Sequence, residues 1–181
     1  MREFLQMENR VAIDRLVTFE PYPKQLAWLN ASLDHQESMV RGANRSGKTT
    51  MAAVAAAMHL TGEYDAPWYQ GHRFEKPVTV WCAGRTAEAA RDVIQAQLLG
   101  GLGEKFGTGW IPKRCLVGAP TLRQAGVRNC VDMLQVRHAS GGLSTCVIKS
   151  FEMGSEKFAG SAVDLIWIDE EPSDYGLYTS A

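Results

Sequence analysis

Ser38-Met39-Val40-Arg41-Gly42-Ala43-Asn44-Arg45-Ser46-Gly47-Lys48-Thr49-Thr50-Met51 is the stretch on which the reading of this chain turns. Ser38 to Arg41 predicts a brief strand, and Lys48 to Leu60, rich in alanine, predicts a helix stopped by Gly62. Between them lies Gly42-x-x-x-x-Gly47-Lys48-Thr49. Densely charged phosphates are held most effectively by converging backbone N–H groups. Glycines permit the turn and the close approach, and the following helix aims its positive end at the anion. Lys48 adds a cation for the β- and γ-phosphates, and Thr49 offers its hydroxyl to Mg²⁺. The expected ligand is therefore a nucleoside triphosphate, ATP with Mg²⁺, cradled by Gly42, Ala43, Asn44, Arg45, Ser46, Gly47, Lys48, Thr49 and Thr50.

A second pattern gives the loop a chemical counterpart. Val163 to Ile168 is a nearly continuous apolar strand candidate ending in Asp169-Glu170-Glu171, 121 residues after Lys48. A strand that ends in a carboxylate delivers it to a metal opposite the loop. Asp169 is the expected partner of Thr49 around Mg²⁺, and Glu170 the group that polarises an attacking water. The pair argues for hydrolysis, with Glu170, Lys48 and Arg45 as catalytic candidates. Arg45 has two readings, a guanidinium that neutralises charge on the γ-phosphate or a surface arginine. Upstream, Gln25 and Tyr22 are candidates for the adenine side, because an amide carries both donor and acceptor and an aromatic ring stacks on a base.

Outward from these motifs the chain reads as α/β. Pro77 to Ala83 predicts a strand, Thr86 caps a helix over Ala87 to Leu99, and Lys24 to Leu33 predicts a short helix begun by Pro23. Val131 to Arg137 and Leu143 to Phe151 predict a hairpin turning at Ser140-Gly141-Gly142. The first twenty residues are loosely helical, residues 63–76 and the glycines at 100–109 read as loops, and the sheet is expected to be mostly parallel and covered by helices, with the hairpin added. The whole of 1–181 is expected to be one ATPase domain, with residues 1–34 as an N-terminal helical segment on the adenine side and 35–181 as the core.

Composition narrows the classes. The chain has 181 residues, 45% hydrophobic and 22% charged, as expected of one globular domain. The N-terminus is too charged for a signal peptide and no apolar run is long enough to cross a bilayer, so a soluble protein is expected. Cys82, Cys115, Cys130 and Cys146 are scattered without metal-site spacing, which predicts buried thiols. The net charge of −1 conceals a basic middle, since residues 110–160 hold seven Lys/Arg against three acids, compatible with a polyanion or with a solvated face. Arg85 is expected at a strand end, and Trp68, Trp81, Trp110 and Trp167 as packing residues.

Taken together, Tyr22-Pro23-x-Gln25, Gly42-Ala43-Asn44-Arg45-Ser46-Gly47-Lys48-Thr49, Val80-Trp81-Cys82-Ala83, Glu156-Lys157-Phe158-Ala159-Gly160 and Asp164 to Pro172 resemble the N-terminal ATPase domain of the large terminase subunit of tailed bacteriophages. That resemblance implies a P-loop NTPase of the additional-strand ATPase class and ATP-driven translocation of double-stranded viral DNA into a procapsid. It also implies a ring-forming homo-oligomer, a portal protein and a small terminase subunit as partners, and the cytoplasm of the infected bacterial host as location. The sequence stops at Ala181, shortly after the second motif, so nuclease activity is not expected of it. A helicase-like or AAA-type P-loop motor, and a nucleotide-binding module without turnover, remain as alternatives.

Overall fold

The computed structural model describes residues 14–101, 106–158 and 162–172, so the helical reading of the first twenty residues lies mostly outside the described part. Within it the elements are α1 (Arg15–Thr18), α2 (Pro23–Ala31), α3 (Lys48–Thr61), β1 (Thr79–Gly84), α4 (residues 87–99), β2 (Leu116–Leu122), β3 (Val131–Arg137), β4 (Leu143–Ser150) and β5 (Leu165–Ile168). Two short 3₁₀ turns, Phe151–Met153 and Ser155–Phe158, follow β4. The five strands form one sheet in the order β2-β3-β4-β1-β5.

The sheet is mixed, not mostly parallel. β1 runs parallel to both β4 and β5, whereas β2–β3 and β3–β4 are antiparallel. The hairpin at Ser140-Gly141-Gly142 forms as expected, and β2, absent from the sequence reading, lengthens the antiparallel part. β2 was illegible because Gly118 and Pro120 interrupt it. Gly118 takes φ 68, the pairing slips between Val117 and Thr121, and both residues sit on an edge strand where such breaks are tolerated.

Ser38 to Arg41 is not a strand. Among the described residues it pairs with nothing, and Met39 is 73% exposed. A strand needs a partner in the ladder, and none of the described strands pairs with this segment. The far edge of β5 is likewise unpaired among the described residues.

α3 is the central helix. Its face of Met51, Ala53, Val54, Ala56, Ala57, Met58 and Leu60 is buried, and the small alanines let it lie close against the sheet. Gly62 ends it at φ 67, with its N–H returning to Met58 O. α4 begins as expected, with Thr86 Oγ1 accepting from Ala89 N at 3.1 Å, but residues Ala90–Gln95 form a π turn. Within that turn Gln95 is fully buried. Its amide donates to Asn129 O at 3.1 Å and accepts from Val131 N at 2.8 Å, fastening the helix to the start of β3.

The described helices pack on one face of the sheet, in a core with Val80, Cys82, Leu134, Val136, Cys146 and Ile148. The opposite face is covered instead by the 151–158 segment, through Trp81, Ala83, Phe151 and Phe158 with Val147, Ile166 and Ile168. The four cysteines are buried free thiols, and Trp81, Trp110 and Trp167 are core residues, with Trp68 packed against the cluster that holds Trp110 and Trp167, as the sequence implied.

Candidate functional site

The decisive contact joins two elements 120 residues apart. Thr49 Oγ1, in the first turn of α3, donates to Asp169 Oδ1, just beyond β5, at 3.1 Å. Asp169 is held there because its own N–H continues the ladder to Ala83 O at 2.9 Å. Burial raises the Asp169 carboxyl above the usual range and the neighbouring Glu170 pushes the same way, against the Thr49 hydrogen bond that lowers it. The nearby Lys48 ammonium also lowers it, so the carboxylate stands between a hydroxyl and a cation of the loop.

The loop is an open cradle. Gly42 to Ser46 are exposed, and among the described residues the N–H groups of Asn44, Arg45 and Gly47 make no internal hydrogen bond, so they are available to an anion. Gly47 is the N-cap of α3 at φ 80, and Arg45 holds φ 63, a costly conformation for a residue with a side chain. Lys48 Nζ turns back onto the loop's own carbonyls, Gly42 O at 2.7 Å and Ala43 O at 2.9 Å.

Gln25 occupies a different place from a free base reader. It is buried at the foot of the loop. Its Oε1 accepts from Tyr22 N at 2.9 Å, closing the first turn of α2, and its Nε2 donates to Gly47 O at 3.2 Å. Tyr22 is 71% exposed beside it. Glu170 is exposed and takes φ 75, the third non-glycine residue in left-handed conformation besides Arg45 and Asn129 among the described residues. Two of those three lie in the loop and the acidic turn, where backbone strain gathers at functional sites.

Mg²⁺ binds through one or two protein oxygens together with phosphate oxygens and water, and Thr49 with Asp169 provides that number. No cluster of three or more His, Cys, Asp or Glu able to hold a metal exists among the described residues. A cleft of about 500 Å³ opens away from this loop, between α4 and the β2–β3 connection, lined by Glu88, Arg91, Arg123 and Glu152 among others.

Matching to known families and proteins follows the same residues. Residues 39–174 match the family described as terminase large subunit, T4likevirus-type, N-terminal. The chain belongs to the large terminase subunit family. It is 33% identical to the large terminase subunit of Salmonella phage P22 over 189 aligned positions, which cover 94% of this chain and 37% of that relative. The chain thus spans little more than a third of the length of this terminase relative. No solved structure matches it.

The basic middle of this terminase chain is divided between tied and exposed side chains. Arg114 is bound to Asp14 and, at 2.5 Å, to Glu63. Arg123 donates to Ile148 O at 2.8 Å, and Lys149 is buried. Lys113, Arg128, Arg137 and Lys157 stay exposed, on separate elements. Arg85 is exposed at the end of β1, and Thr86 beside it caps α4. No described helix is long and apolar enough to cross a membrane.

Proposed function

We propose that this chain is the ATP-hydrolysing part of a DNA-packaging motor, a P-loop NTPase that binds Mg²⁺-ATP at the loop of residues 42–50 and uses the energy to move double-stranded viral DNA into a procapsid. The observation that carries the reading is the 3.1 Å contact from Thr49 to Asp169, which brings the phosphate loop and the acidic strand end into one site. Membership of the terminase family supports the packaging role over a helicase-like or AAA-type motor.

In this reading the free N–H groups of Asn44, Arg45 and Gly47 receive the phosphates. Lys48 exchanges the carbonyls of Gly42 and Ala43 for phosphate oxygens, whose negative charge its ammonium offsets. Thr49 and Asp169 would hold Mg²⁺, which when bound offsets charge on the β- and γ-phosphoryl oxygens. Glu170 accepts a proton from the attacking water, and Arg45 reaches the γ-phosphate from the loop. Tyr22 flanks the base, while Gln25 reports on the loop through Gly47. A homo-oligomeric ring, a portal protein, a small terminase subunit and the cytoplasm of the infected host complete the proposal.

The test is titration with a fluorescent ATP analogue and measurement of phosphate release, with and without Mg²⁺. Glu170→Gln is expected to lower turnover at least about 100-fold while leaving nucleotide affinity within about threefold. Turnover unchanged by this substitution would remove Glu170 from the mechanism, and absence of Mg²⁺-dependent nucleotide binding by the unaltered chain would overturn the reading as a whole.

A further inference from the structure

Lys149 is a lysine where an apolar residue would be expected. It stands at the end of β4, in register with Ala83 of β1, and is 8% exposed. No ion pair among the described residues includes it. Its ammonium lies 3.5 Å from the ring centroid of Trp81 and 5.0 Å from that of Phe158, and donates to the carbonyl of Lys157. The two rings meet edge to face at 5.9 Å. Burial lowers its pKa from the ordinary lysine range. A methionine would fill this space without desolvating a charge, so the charge is explained by what it holds.

What it holds is the Ser155–Phe158 turn. Phe158 lies over Trp81, and Trp81 pairs in register with Val147 of β4 on one side and Ile166 of β5 on the other. Ile168 belongs to the same cluster, and Asp169 follows it directly. This turn is the main described cover on that face of β5, since the described helices lie on the other face.

We propose that Lys149 is a positioning residue: with Trp81 and Phe158 it forms a cation–π clamp that pins the Ser155–Phe158 turn to the sheet and thereby sets the end of β5 that carries Asp169 and Glu170. The role in setting the metal-side carboxylate rests on the ATPase reading above; the clamp itself does not.

The Lys157–Phe158 peptide bond is a trypsin site whose carbonyl is the one Lys149 engages, so limited trypsinolysis reads the clamp directly. Lys149→Met is expected to speed cleavage at this bond about tenfold, and Lys149→Arg, which keeps a cation on the rings, to return it to within about twofold of the unaltered chain. In parallel, affinity for the fluorescent ATP analogue without Mg²⁺ should be unchanged in Lys149→Met, while the gain in affinity on adding Mg²⁺ falls about tenfold and is restored by Lys149→Arg. Phe158→Leu, which removes one ring and keeps the apolar packing, should fall between the two and serves if Lys149→Met does not fold. Cleavage at the unaltered rate in Lys149→Met and Phe158→Leu overturns the clamp. Equal loss of affinity with and without Mg²⁺, or no rescue by Lys149→Arg, overturns the positioning role. If the unaltered chain binds no nucleotide, the ATPase reading and the positioning role fall together, and the trypsin rates still decide the clamp.

Discussion

Replacing Gly47 with alanine tests the tie between the N-terminal helix and the phosphate loop. Gly47 holds φ 80, and a Cβ placed there would lie 2.6 Å from Gln25 Nε2. Left-handed backbone costs a residue with a side chain about 1–2 kcal/mol. Displacing Gln25 forfeits its bond to Gly47 O, about 1 kcal/mol for a buried amide. The sum, about 2–3 kcal/mol, corresponds to a fall in melting temperature of roughly 5–10 °C at this chain length. Gly42→Ala is the control. Its φ is not in the left-handed region, and the one tight contact of its Cβ would be the rotatable Ser46 Oγ at 3.0 Å, with Lys48 Cδ and Ser46 Cβ at ordinary van der Waals distance, so a loss near 0.5 kcal/mol, about the size of a surface change, is expected. Thermal melts and urea titrations measure both. A Gln25→Ala, Gly47→Ala double variant adds a sharper criterion. With Gln25 gone the collision vanishes, so the double change should cost about 1 kcal/mol less than the sum of the single ones. The ATP analogue should bind Gly47→Ala at least about tenfold more weakly, because the loop can no longer bring its N–H groups close. A Gly47→Ala chain that melts within about 1 °C of the original, or strict additivity in the cycle, would refute the argument.

Three further outcomes follow from charges in the structure. Asp169 has a raised folded pKa, so in the nucleotide-free chain its ionised form destabilises the fold above that pKa, and the cost disappears as pH falls through it. Asp169→Asn should therefore stabilise the free chain at neutral pH in urea titrations while abolishing the Mg²⁺-dependent part of nucleotide affinity. His59 is the opposite case. Burial, with His72 nearby, lowers it from 6.5 to about 4, so the unfolded chain takes up a proton that the fold refuses. Stability should drop by about 2 kcal/mol between pH 7 and 5, and His59→Phe should flatten that slope. Arg114 joins Asp14, which is 3% exposed, to Glu63. Arg114→Gln leaves that buried carboxylate without its cation and should cost about 2 kcal/mol in urea, less than a fully buried pair because Arg114 itself is half exposed.

Much of the site was legible because its chemistry is local. The loop residues 42–49, the capped helix after Thr86, the Gly62 stop and the apolar strand into Asp169 each depend on neighbours within a few positions, and each appears where the sequence placed it. Pairing was less legible. Ser38 to Arg41 has the composition of a strand but pairs with none of the described strands, and β2 has a poor strand composition but an edge, at β3, that recruits it. The basic segment at 110–160 looked continuous along the chain, yet folding turns Arg123 and Lys149 inward and ties Arg114 to Asp14 and Glu63 at the surface.

The residue pattern alone marked the candidate groups for a phosphate and a metal: a lysine and a threonine after two glycines, and a carboxylate at a strand end. Glycine spacing and side-chain chemistry are carried by the sequence itself, so no fold was needed to recognise them. Only the tertiary structure decided that Thr49 and Asp169 lie 3.1 Å apart, that Gln25 grips Gly47 instead of lying free, and that a lysine is buried on Trp81. These contacts span tens of residues and depend on the order and register of the strands, a property of the packed sheet that no local stretch of chain encodes.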